Sequence, residues 1–202
     1  TQEFDASEYS SSEFISRYAV NQCPFVAIPI FPSRSFRHGF IVVNRRFIKG
    51  PKDLAGKRIG LPMYTMTASI FIKGLLQHEY GVDLSQVEWV EGQINGGEKH
   101  GSPTTMPLVG PVHITQNQTG KSLSQLLEEG EIQAIIGTGF PEALGRNPDV
   151  IRLFTDHRQV EREYFQRTGI FPIMHLVAIR KALYQQHPFV AKSLYQALDQ
   201  SK

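Results

Sequence analysis

Apolar and polar positions follow two different repeats along the chain. From Phe25 to Phe31 the apolar residues run unbroken between prolines, as in a parallel strand covered on both faces, and Phe40 to Asn44 reads as a second apolar strand. Ala68, Phe71, Ile72, Leu75 and Leu76 instead recur at helical spacing, with Thr67 as the expected N-cap and Gly81 as a left-handed stop. Before that helix, Pro51 to Pro62 gives a one-turn lead-in, a tight turn at Gly56 and a strand. After it, Val87 to Val90 completes a strand–helix–strand unit whose crossover should be right-handed.

The same reading predicts a strand over Phe4 to Tyr9 and a helix starting near Ser11, because Ser10 and Glu13 have capping-box spacing ahead of Phe14, Ile15, Tyr18 and Ala19. Ser122 and Gln125 repeat that spacing before Leu123, Leu126 and Leu127, and Gly130 ends the stripe. Strands are expected at Ile132 to Gly137 and Val150 to Phe154, and a helix capped by Asp156 runs through Arg167 to Gly169. Ile170 to Arg180 is mostly apolar. Leu183 to Lys202 reads as one closing helix, with Pro188 in a first helical position. Gly92 to Gly120 is the exception: six glycines and three prolines make it a surface excursion, with one short strand at Val112 to Thr115.

Composition narrows the function classes. Twenty-one basic against nineteen acidic residues leave a net charge of +2, too balanced to argue for nucleic acid or a membrane surface as partner. No apolar run approaches the ~20 residues of a membrane span. The start, Thr1 to Asp5, lacks secretory features and an initiator Met, so a cytoplasmic location and a missing true N-terminus are expected. Cys23 is alone in an apolar context, which fits a buried structural thiol better than a nucleophile. There is no phosphate-binding loop, and Gly137-Thr138-Gly139 lacks the rest of a dinucleotide fingerprint. The seven histidines are scattered, so neither a metal nor an organic cofactor is expected.

Candidate chemistry gathers at chain segments that follow strands. Arg34, Arg37 and His38 lie within five residues, a pairing of carboxylate-gripping guanidinium groups with a proton donor or acceptor, although a solvated basic turn has the same spacing. Ser10 and Ser11 open a helix and either cap it or bind an anion. Tyr64, Thr65 and Thr67 occupy a strand-to-helix loop suited to an anion, and Gly139 permits close backbone approach to a ligand. His175 is a lone histidine in an apolar run, either a core residue or a site residue.

Phe31-Pro32-Ser33-Arg34 with Phe36-Arg37-His38, Asp53-Leu54 through Gly60, Met66-Thr67-Ala68, Glu79-Tyr80-Gly81-Val82 and Thr168 to His175 together resemble the 4,5-dihydroxyphthalate decarboxylases, from about Phe4 to Lys202. That resemblance implies an α/β fold of the type 2 periplasmic-binding-protein kind, two lobes with a cleft, formed here by an internal segment of a longer chain. Residues 1–40 would belong to lobe 1, 41–174 to lobe 2, and 175–202 would return to lobe 1. Phe40 to Asn44 and His175 to Ile179 would be the crossing strands, with Arg34, Arg37 and His38 at one hinge and His175 at the other. The implied activity is cofactor-free decarboxylation of a hydroxylated aromatic dicarboxylate, with His38, His175 and Glu8 handling protons and the arginines gripping the carboxylate that stays. Gly92 to Thr105 and Phe71-Ile72-Lys73 depart from the family pattern and bear on substrate fit. A non-catalytic, periplasmic carboxylate receptor is the alternative on the same fold.

Overall fold

The structure is a computed structural model that describes residues 4–97 and 106–201. Part of the glycine-rich excursion, 98–105, therefore lies outside the described residues. The chain divides into two compact units, one made of Thr1–Ser35 and Phe171–Lys202, the other of Phe36–Ile170.

The first unit contains β1 (Ala6–Ser10), α1 (Ser11–Ala19), β2 (Phe25–Arg34), and, from the distal part of the chain, β9 (Ile173–Arg180), α5 (Lys181–Gln186) and α6 (Phe189–Gln200). The sheet order is β1-β9-β2, with both pairings antiparallel. This corrects the expectation of a parallel, doubly covered strand at Phe25 to Phe31. Among the described residues β2 is an outer strand; Ile28 and Ile30 are buried while Pro29, Phe31 and Pro32 are exposed. Proline donates no ladder hydrogen bond, which suits an edge. Ile28, Ile30, Val177 and Ile179 form the core against Val190, Leu194 and Leu198, one stripe of α6. The closing segment is two helices rather than one. Pro188 has no N–H to continue α5 and becomes the N-cap position of α6. At the start of α1 the N-cap half of the expected capping box forms, the Glu13 amide donating to Ser10 Oγ, while Glu13 Oε1 accepts from Arg17 Nε at 2.6 Å.

The second unit is built on β3 (Ile41–Asn44), β4 (Arg58–Leu61), α2 (Thr67–Tyr80), β5 (Glu88–Glu91), β6 (Ile114–Gln116), α3 (Leu123–Glu129), β7 (Ala134–Ile136), β8 (Val150–Arg152) and α4 (His157–Thr168). Its six-stranded sheet has the order β6-β5-β4-β7-β3-β8, with β4, β5, β6 and β7 parallel and β3 antiparallel to both neighbours. Strand periodicity of two splits the core between the faces. Ile41, Val43, Ile59, Leu61, Ala134 and Ile136 pack with Ile72, Leu75 and Leu76 of α2, whereas Val42 and Ile135 pack with Leu123, Leu126 and Leu127 of α3. Gly60 lets α3 approach: a Cβ there would lie 2.7 Å from Ile132 Cδ1 and 3.2 Å from Leu123 Cδ2. Gly81, Gly130 and Gly169 end their helices in the left-handed region, as the spacing of their stripes predicts. Thr67 is the first helical residue of α2; Met66 holds the N-cap position and supplies no side-chain cap.

Candidate functional site

In the first unit the central strand β9 carries His175 opposite Ser10 of β1 on one side and Ser33 of β2 on the other. Glu8, two residues before Ser10, shares that sheet face, and its Oε1 lies 2.6 Å from His175 Nδ1. Both side chains are about half exposed, so the pair reaches solvent rather than the core. An imidazole held at Nδ1 by a carboxylate is fixed in ring orientation, which leaves Nε2 to exchange a proton with a ligand. Two of the three expected proton carriers are thus brought together by strand register, and His175 is a surface residue of the sheet rather than a core histidine.

Arg34 ends β2 opposite Ile173, in the same sheet. Its guanidinium carbon lies 5.8 Å from the Phe31 ring centroid and 5.3 Å from that of Phe171, and it forms no ion pair among the described residues. Stacking on two aromatic faces holds the charge in place and keeps its donor edge available to an anion. Ser10 and Ser11 have structural employment: Ser10 Oγ caps α1, and Ser11 Oγ donates to the Ile173 carbonyl at 2.8 Å.

Arg37 and His38 belong to the second unit. The Arg37 guanidinium carbon lies 4.8 Å from the Phe40 ring centroid; Phe40 stacks on Phe140 at 4.9 Å, and Arg152 covers Phe140 at 4.6 Å. Burial lowers the affinity of Arg37 for its proton, although guanidinium remains charged throughout the working range of proteins. His38 is 2% exposed and packs edge-on against Phe154 and Tyr164. Among the described residues neither ring nitrogen has a hydrogen-bond partner, and Nδ1 stands 4.0 Å from Glu161 Oε1. Burial, reinforced by Arg167 and His157, pushes its pKa down to about 4. A neutral imidazole enclosed by aromatic rings is poorly placed to exchange protons with a ligand, which sets His38 apart from His175.

The loop from β4 to α2 is tied at Tyr64. Its amide donates to Glu91 Oε1 at 2.5 Å, and its carbonyl accepts from Lys73 Nζ at 2.9 Å. The Tyr64 backbone N–H is therefore already engaged; Thr65 is half-buried and Thr67 buried. At Gly139 a Cβ would meet only Ile94 Cδ1, at 3.7 Å, so packing within the unit does not demand glycine there. The sequence points to Lys73 only as part of Phe71-Ile72-Lys73, a departure that bears on substrate fit, and does not point to Glu91. The available signal was that Lys73 is the one ionisable residue between Ala68 and Leu76, on a stretch that is otherwise apolar or small. Among the described residues no group of three or more His, Cys, Asp or Glu side chains could hold a metal, and no helix is long and apolar enough to cross a membrane.

Comparison with known proteins agrees with this architecture. A family model described as NMT1/THI5 like matches residues 17–97. A 4,5-dihydroxyphthalate decarboxylase from Comamonas testosteroni is 37% identical over the whole of this chain and 62% of its own length. Another protein of that name, from Pseudomonas putida, is 33% identical over 81% of this chain and 64% of its own. The chain thus spans somewhat under two thirds of both relatives, and the resemblance drawn from its motifs is borne out. Among solved structures, an Archaeoglobus fulgidus protein aligns with 98% of this chain and 57% of its own at 17% identity and a TM-score of 0.51. A protein described as a periplasmic sulfonate-binding protein of an ABC transporter, from Methylobacillus flagellatus, aligns with 98% of this chain and 49% of its own at 16% identity and a TM-score of 0.50. The fold is accordingly of the periplasmic-binding-protein kind.

Proposed function

We propose that this relative of the 4,5-dihydroxyphthalate decarboxylases removes CO₂ from a hydroxylated aromatic dicarboxylate such as 4,5-dihydroxyphthalate, giving protocatechuate, without an organic cofactor. The observation that carries the reading is the Glu8–His175 pair, a carboxylate-oriented imidazole open to solvent, on one sheet with Arg34. In the reaction a ring hydroxyl pushes electron density to the carbon that bears the departing carboxylate, that carbon takes up a proton, and the bond to the carboxylate then breaks, its electron pair returning to the ring as CO₂ leaves. His175 supplies that proton through Nε2, and Glu8 stabilises the imidazolium before transfer. Arg34 grips the carboxylate that stays. A cation clamped on the departing carboxylate would stabilise the ground state and slow the step, because only contacts stronger in the transition state accelerate it. In the second unit Arg37, Tyr64, Thr65, Thr67 and Gly139 are the proposed binding residues, with Arg37 held by its aromatic stack.

The second reading, a carboxylate receptor without catalysis, is favoured by the likeness to a sulfonate-binding protein. Fold alone does not separate the two. Incubation of the protein with 4,5-dihydroxyphthalate, followed by CO₂ release and protocatechuate formation, does. Catalytic turnover is the expected result; saturable binding without turnover would establish the receptor.

A further inference from the structure

Lys73 is the single lysine or arginine among the buried described residues, 8% exposed. Among the described residues its Nζ makes one hydrogen bond, to the Tyr64 carbonyl at 2.9 Å, and lies 3.0 Å from the Tyr64 ring centroid and 5.7 Å from that of Trp89. The opposite charge, Glu91 of β5, is tied to the Tyr64 amide and accepts from Gln116 Nε2 at 2.6 Å, so it acts on Lys73 as a nearby charge rather than as a bonded partner. Two further buried groups, Ser69 Oγ and Trp89 Nε1, have no hydrogen-bond partner among the described residues. Ser69 stands one turn before Lys73 on the same helix face. An ammonium with one carbonyl and two ring faces for solvation is expensive to bury, and burial pushes its pKa down to about 7 against the opposing pull of Glu91. Packing does not require the charge, since methionine has a similar reach and no desolvation cost.

We propose that Lys73 is a cationic centre for the carboxylate that stays, held at the Tyr64–Thr67 loop, and that binding of the ligand there is coupled to uptake of a proton by the Lys73 amine. The inference rests on the reading of the protein as one that acts on aromatic dicarboxylates. The titratable groups that face the amine are Tyr64 from the loop and Glu91 from β5. A ligand carboxylate adds a second negative charge to that of Glu91 in a low-dielectric surround, which strengthens the hold of the amine on its proton. Above about pH 7 the free site is mostly neutral, so each binding event draws in a proton, and affinity falls by up to about tenfold per pH unit until the pKa of the complex is reached.

The test is calorimetric titration of phthalate at pH 8 in two buffers of different ionisation enthalpy, which yields the number of protons exchanged. Wild-type protein should take up more than about half a proton per site. Lys73→Met should bind more weakly with no uptake. Lys73→Arg, charged at every working pH, should bind with an affinity that no longer falls between pH 7 and 9. Binding to wild type without uptake, or uptake that persists in Lys73→Met, overturns the role of Lys73 and leaves the carboxylate reading standing. Absence of phthalate binding to wild type overturns both.

Discussion

Replacing Lys73 by methionine should make the second unit more stable at neutral pH, an uncommon outcome for a buried substitution. The fold lowers the affinity of this amine for its proton from the ordinary lysine value of 10.5 to about 7. Between those values the unfolded chain binds a proton that the folded chain does not, so stability rises with pH across that window, and the penalty is complete at pH 7 and below. A shift of this size is worth about 5 kcal/mol. Methionine removes that cost but leaves the Tyr64 carbonyl without its donor, a loss of about 1–3 kcal/mol. The net gain at pH 7 is therefore about 2–4 kcal/mol, and it should shrink by about 2 kcal/mol by pH 9 as the wild-type amine becomes easier to bury. Trp89 is the only tryptophan of the chain, is fully buried and packs close to Lys73, so its fluorescence in a urea titration reports this unit directly. A variant less stable than wild type at pH 7, with a difference that does not change by pH 9, would refute the account of Lys73 as a costly buried charge.

Other consequences are open to simple measurement. Burial lowers the His38 pKa from the ordinary histidine value of 6.5 to about 4, so stability should fall by about 3 kcal/mol as pH drops from 6.5 to 4. His38→Phe should abolish that slope in acid denaturation and leave turnover nearly unchanged; an unaltered slope would contradict the burial argument. Gly60→Ala should destabilise by about 1–3 kcal/mol, because the added Cβ meets the buried Ile132 and Leu123 side chains; an unchanged urea midpoint would show that this contact relaxes freely. Arg34→Lys should raise KM about tenfold or more with a smaller change in kcat, since an ammonium cannot reproduce a planar two-bond grip; an unchanged KM removes Arg34 from binding.

What the sequence made legible was local. The N-cap bond at Ser10, the capping box at Ser122, the left-handed glycines Gly81, Gly130 and Gly169, and the helical stripe of α2 all depend on residues within a few positions of each other, and all form. Strand partners depend on distant chain. Phe25 to Phe31 has the apolar run of a doubly covered parallel strand, yet it pairs antiparallel with a strand some 150 residues away. Its exposed Pro29 and Pro32 were the available sign of an edge. The same limit governs the candidate site. Glu8 and His175 could be named individually, but only the β1–β9 register makes them a pair. His38 looked equivalent to His175 because enclosure by Phe154 and Tyr164 cannot be read from its neighbours in sequence. The burial of Lys73 was hidden for the opposite reason: a single charge on a helix is ordinarily solvated, and its burial follows from the Tyr64 carbonyl and Trp89 ring that pack over it.

The proton-transfer role of His175 is the centre of the functional account, and steady-state decarboxylation of 4,5-dihydroxyphthalate by wild type and His175→Gln tests it most directly. Glutamine keeps approximate shape and polarity but has no proton that titrates near neutrality. The account predicts a fall in kcat of ~10²–10⁴-fold with KM little changed. A variant that turns over at nearly the wild-type rate would contradict it and take imidazole out of the reaction.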